Sequence, residues 1–126
     1  MSFAPSTYPG RRLPIDAYGD GGFRVGGVFH EGALLLLPSG ATRWAVSGND
    51  GLAAAPLEAL LAEAAGIELL IVGTGVETRP LPAEMARALE AGGLRFEAMS
   101  TGAAARTFNV LLSEDRRVAA ALLAVD

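Results

Sequence analysis

Cysteine is absent from the 126-residue chain, and that absence closes several chemistries at once. Structural disulfides, thiolate zinc sites, iron–sulfur clusters and thiol nucleophiles all need this side chain. Lysine is missing too: all 10 basic residues are arginine. A Schiff-base lysine and a phosphate-loop lysine are therefore excluded. One histidine, His30, cannot build a multi-histidine metal site within a single chain. Neither a metal nor a cofactor is expected. Long apolar runs are lacking as well. The longest, Val118 to Val125, has 8 residues, against about 20 for a membrane helix. Residues 1–14 contain Pro5 and Pro9 and no apolar stretch, so they read as a loose arm rather than a secretory leader. A cytoplasmic location is expected.

Positive charge is scarce and scattered. The net charge is −4, and only Arg11-Arg12 and Arg116-Arg117 are adjacent. Nucleic-acid binding relies on clustered cations meeting phosphates, so it is not expected.

Apolar residues make up 51% of the chain, and the mean hydropathy is +0.35. Disorder requires the opposite composition. The length suits one domain with its own core. The Arg-only basic set, together with abundant Ala, Gly and Leu, reads as codon bias from a GC-rich genome rather than a functional choice.

The front of the chain reads as strands. Ile15 to Tyr18 and Phe23 to Val25 flank Gly19-Asp20-Gly21-Gly22, which is a hairpin signal. Gly26-Gly27 marks a second tight turn before Val28 to Gly32. Ala33 to Leu37 is too short for a helix and ends at Pro38-Ser39-Gly40, so a buried strand is expected. Thr42 to Val46 alternates and should pair beside it.

The period then changes. Leu57, Leu60, Leu61 and Ala64 share one helical face, with Pro56 suited to the first turn and Gly66 to the stop. Ile67 to Val72 is a near-continuous apolar strand, as expected where both faces of a sheet are covered. Pro82 to Ala91 predicts a second helix closed by Gly92-Gly93, and Leu94 to Ala98 another strand. Ser100 or Thr101 can cap a third helix running to about Ser113, burying Phe108, Leu111 and Leu112. Arg117 to Val125 is expected to close the chain as a strand. Such alternation implies an α/β sheet with helices on its faces.

Each candidate site has a plainer reading. Gly73-Thr74-Gly75 follows a buried strand, where a dinucleotide fingerprint would begin, but Thr78 stands where the third glycine belongs. A strand-end turn is the plainer reading and an unspecified ligand site the sharper one. His30 beside Glu31 reads as a solvated turn residue, lacking the positioned partner that a general base needs. Ser39, Ser47, Ser100 and Ser113 sit in no nucleophile elbow. Asp16, Asp20 and Glu31 offer no supported carboxylate pair, since Asp20 suits a turn. Trp44 reads as a half-buried sheet residue or as an interface anchor. Thr101, Arg106, Thr107 and Asn109 lie on an otherwise Ala-rich helix. With Gly73, Thr74 and Gly75 they would line a shallow strand-end pocket for a small ligand. The plainer reading pairs Arg106 with Glu114 and Asn109 with loop backbone. No residue is assigned a catalytic role.

Three segments together resemble the Mth938-like domain, a family of unknown function. They are Tyr18-Gly19-Asp20-Gly21-Gly22-Phe23-Arg24-Val25, the strand ending Val72-Gly73-Thr74-Gly75, and Thr101 through Arg117-Val118-Ala119-Ala120-Ala121-Leu122. The resemblance spans about residues 15–124. It departs at Ala105, where relatives often carry cysteine before the Arg-Thr pair, which removes any thiol chemistry. The resemblance implies a single domain over residues 15–126 with a three-layer β+α/β/α architecture and a mixed central sheet. It also implies a last strand antiparallel to its neighbours. The family includes mitochondrial complex I assembly factor 3. The chain is accordingly expected to be a non-enzymatic binding module with a protein partner, peripheral to a membrane complex and open to homodimer formation.

Overall fold

Three tight turns organise the first half of the chain. The computed structural model describes residues 13–46 and 48–126; the expected arm over residues 1–14 lies almost wholly outside them. Strands β1 (Ile15–Gly19), β2 (Gly22–Val25) and β3 (Val28–Glu31) form an antiparallel sheet in the order β1-β2-β3. The two connections are Asp20-Gly21 and Gly26-Gly27, and all four residues have positive φ. Positive φ at both central positions is the signature of the hairpin turn whose twist matches the strands it joins. The third turn, Pro38-Ser39, joins β4 (Leu34–Leu37) to β5 (Gly40–Arg43).

The second half builds the rest of the central sheet. Strand β6 (Leu69–Gly73) is followed by helix α2 (Ala83–Ala91), strand β7 (Phe96–Met99), helix α3 (Thr101–Ser113) and strand β8 (Val118–Leu122), while a short helix α1 (Glu58–Ala62) precedes β6. The five-stranded order is β5-β4-β8-β6-β7. Strand β8 runs parallel to β6 and antiparallel to β4. This corrects in part the expectation that the last strand opposes its neighbours: it opposes β4 but runs with β6. Helix α3 carries the chain from the end of β7 back across the sheet, so β8 starts beside the start of β6 and runs with it. The reversed strand is β4, which enters through its hairpin with β5.

Alternation along the central strands divides the interior into two cores. Leu34, Leu36, Ile71, Val118, Ala120 and Leu122 meet Ile15, Phe23 and Val25 of the small sheet together with Ala104 and Phe108 of α3. Leu35, Leu37, Leu70, Val72, Ala119 and Ala121 face Leu60 of α1 and Met85 and Leu89 of α2. The layers are thus the small sheet with α3, then the central sheet, then α1 and α2. A strand covered on both faces reads as an unbroken apolar run, which is why β4 is four consecutive leucines.

Two local expectations are corrected. Helix α1 covers only Glu58–Ala62 and passes into a separate 3-10 turn at Ala64–Gly66. Pro56 lies ahead of that helix, and its carbonyl accepts the Trp44 Nε1–H at 2.8 Å. Trp44 is 1% exposed, so it is a core residue and neither half-buried nor an interface anchor. Its hydrogen-bonded ring closes the gap between β5 and the segment before α1.

Candidate functional site

Strand tips, one helix start and one hairpin converge at a single end of the molecule. After β6, the Thr74 N–H donates to the Met99 carbonyl and the Thr101 N–H donates to the Gly75 carbonyl, each at 2.8 Å. The Thr74 hydroxyl accepts from Arg79 N–H at 3.1 Å and lies 2.6 Å from the Glu77 carbonyl. The Thr101 hydroxyl accepts from Gly75 N–H at 3.0 Å and donates to the Leu123 carbonyl at 2.7 Å. Leu123 N–H bonds to the Gly73 carbonyl, and Gly21 N–H bonds to the Val125 carbonyl. The segment after β8 is therefore tied to β6, to α3 and to the first hairpin. Thr74 and Thr101 are 4% and 0% exposed, and both spend their hydroxyls on backbone.

Helix α3 begins here because Ser100 caps it, its side chain accepting from Ala103 N–H at 3.3 Å. Gly102 follows the cap, and a side chain there would stand 2.5 Å from the Tyr18 hydroxyl. The glycine lets β1 close onto the helix. Two turns later, Asn109 acts as a substitute strand. Its Oδ1 accepts from Ile15 N–H at 2.8 Å and its Nδ2 donates to the Ile15 carbonyl at 2.9 Å. Paired amide bonds of this kind mimic a ladder partner and satisfy the edge of β1.

Two notches flank these contacts. One, of about 330 Å³, is lined by Tyr18, Gly75, Val76, Gly102, Arg106 and Asp126 among others. The other, of about 340 Å³, is lined by Asp16, Ala17, Tyr18, Ala105, Arg106 and Asn109 among others. Tyr18 and Arg106 border both and so form the wall between them. Of the seven residues expected to line a pocket, Gly75, Arg106 and Asn109 do line one. Gly73 and Thr101 are buried, Thr74 is locked in the turn, and Thr107 borders neither notch. Arg106 makes no ion pair with Glu114 or with any other acid among the described residues. Ala105 is buried at the floor of the second notch.

Sequence reasoning missed Tyr18, and it weighed Asp16 only within a carboxylate cluster that it set aside. The available signal was Gly102, a glycine in the first turn of a helix, which asks for a close neighbour.

His30 stands across the ladder from Phe23. Its ring is only partly covered, yet Nε2 is sealed and has no hydrogen-bond partner among the described residues. Burial lowers its pKa below the ordinary 6.5, because the charged form loses solvation. As pH falls below about 6.5, the unfolded chain takes up the proton before the folded chain does. Stability from neutral His30 is thus fully present above that value and is lost as pH falls through the folded pKa. The urea midpoint of the chain should drop from about pH 7.5 to pH 5.5 more steeply than that of His30→Phe. Matching slopes would count against the assignment. Among the described residues no group of acids and histidine is placed to hold a metal ion.

The family model described as "Protein of unknown function (DUF498/DUF598)" matches residues 15–123. An uncharacterised protein of Rhodobacter capsulatus is 49% identical over 111 residues, covering 88% of this chain and 84% of that protein. NADH dehydrogenase [ubiquinone] 1 alpha subcomplex assembly factor 3 of Danio rerio is 34% identical, covering 86% of this chain. The match spans 63% of that factor's own length. The crystal structure of an outer membrane protein from Bartonella henselae aligns with TM-score 0.81 at 43% identity, over 94% of this chain and 100% of that one. The Mth938-like domain of Bordetella pertussis aligns with TM-score 0.71 at 33% identity, over 89% and 85% of the two chains.

Proposed function

The chain belongs to the DUF498/DUF598 family of Mth938-like domains, and from that premise we propose that it is a non-enzymatic protein-binding module serving assembly of an NADH dehydrogenase-type membrane complex. The observation that carries this reading is the 34% identity to the zebrafish assembly factor across 86% of the chain. The geometry adds support. A small-ligand site needs polar groups turned into a cleft, whereas Thr74, Thr101 and Asn109 commit theirs to backbone. A cytoplasmic location and a peripheral position on the complex are parts of the same proposal. No helix among the described residues is long and apolar enough to cross a membrane, so contact with such a complex would run through a protein surface. A homodimer is one form in which the module would work.

The test is crosslinking in living cells of the native host, with the chain tagged at its own locus and captured under denaturing wash. NADH dehydrogenase subunits should be enriched over an untagged strain and over an equally abundant tagged control. Capture of no subunit of that complex would overturn the proposal.

A further inference from the structure

The wall between the two notches has a shape and a charge pattern that fit a copy of itself. Arg106 projects from α3 with no ion pair or hydrogen bond among the described residues. On either side of it lies a notch of similar size, one bordered by Asp16 and the other by Asp126. The patch thus carries one cation on a ridge and a carboxylate in each adjoining hollow. Large apolar side chains surround it. Tyr18 is 43% exposed, Val110 55% and Val76 82%. Val110 lies one turn beyond Arg106 on the same helix face. A closed dimer needs a surface that is its own complement, in which residue i meets j and j meets i.

We propose that two copies of the chain pair about a two-fold axis through this face. Each Arg106 enters the partner copy's notch beside Asp16, and Tyr18 and Val110 are covered at the centre. Asp16 is the acceptor rather than Asp126 because its position is fixed: it lies on β1 and its Oδ2 accepts the Gly27 N–H at 3.1 Å. The guanidinium can still take the remaining lone pairs, as planar Arg–carboxylate pairs do. The mixed signs also weigh against a purely acidic or purely basic partner on this face, since either would bring like charges together. The pairing stands independently of the assembly reading.

Sedimentation equilibrium of the full chain from about 10 µM to 1 mM tests it, a range chosen for a small interface. Dimers should form within that range. Arg106→Glu should weaken self-association by about tenfold or more, because it faces Asp16 with a like charge. Asp16→Arg should do the same, and the double swap should recover most of the loss. Both side chains are exposed, and circular dichroism of each variant checks that the fold is kept. A Val110→Asp variant offers a second reading on the same face and should also dissociate the dimer. A chain that stays monomeric throughout, or a dimer indifferent to Arg106→Glu and Val110→Asp, would overturn the proposal.

Discussion

Thr101→Val is expected to destabilise the chain by about 2–4 kcal/mol, although it changes neither the size nor the branching of the side chain. The wild-type hydroxyl joins three elements at one point: it accepts from Gly75 N–H after β6, donates to the Leu123 carbonyl after β8, and belongs to the first residue of α3. Valine fills the same space, so no cavity term enters. It leaves a buried donor and a buried acceptor unpaired, each costing about 1–3 kcal/mol in desolvation. Part of that is recovered by local relaxation and by water entering at the strand tips. For a chain of this length the melting temperature should fall by about 10 °C. Thr101→Ser keeps the hydroxyl and should cost about 1 kcal/mol through the lost methyl group. The pair of variants separates hydrogen bonding from packing. Equal melting temperatures for valine and serine would show that the hydroxyl does not bind the strand tips together.

Asn109→Ala should have a comparable effect by a different route, about 2–3 kcal/mol from two lost bonds to one strand. Here the loss concerns the small sheet. Strand β1 pairs with β2 on one side, and Asn109 satisfies Ile15 on the other. Without the amide, the outward backbone groups of Ile15 lose their partners, and β1 becomes an open edge held only by its ladder with β2 and by packing. Hydrogen exchange over residues 15–19 should accelerate more than exchange in β6 or β8, because opening becomes local rather than global. Asn109→Asp is the sharper control. It keeps an acceptor for Ile15 N–H but sets an oxygen against the Ile15 carbonyl, so it should be no better than alanine. An aspartate variant as stable as wild type would refute the substitute-strand role.

These two residues also show how far the sequence could be read. Thr101 and Asn109 stood out as polar positions on an alanine-rich helix, and the helix, a cap at Ser100 or Thr101 and the burial of Phe108 followed from spacing and capping chemistry; the structure chooses Ser100. Their partners did not follow. Ile15 is 94 positions from Asn109, and Leu123 is 22 positions from Thr101. No local pattern specifies which backbone a side chain will meet after the layers close, so groups read as pocket lining became fasteners of the fold. The direction of β8 was illegible for a related reason. An apolar run buried on both faces carries no record of which neighbour runs with it, and α3 decides that by where it returns the chain. Trp44 shows the opposite error. Alternation placed it near a strand, but the hydrogen bond from its indole to Pro56 depends on a loop that periodicity cannot position.

The reading of Ala105 is plainer. In this chain a methyl group within the core forms the floor of the Asp16 notch. With no cysteine anywhere in the sequence, no thiol chemistry can operate at this notch. What this face presents outward is the Arg106 ridge and the exposed Tyr18, the groups proposed to meet a second copy of the chain.

Deleting the gene in its native host and quantifying assembled NADH dehydrogenase in the membranes bears most directly on the role assigned to the chain. The amount of full-size complex on native gels and the rate of NADH-driven quinone reduction should fall together, and both should return when the wild-type chain is supplied from a plasmid. Subunit transcripts should stay constant. Unchanged levels of intact, active complex in the deletion strain would contradict the account.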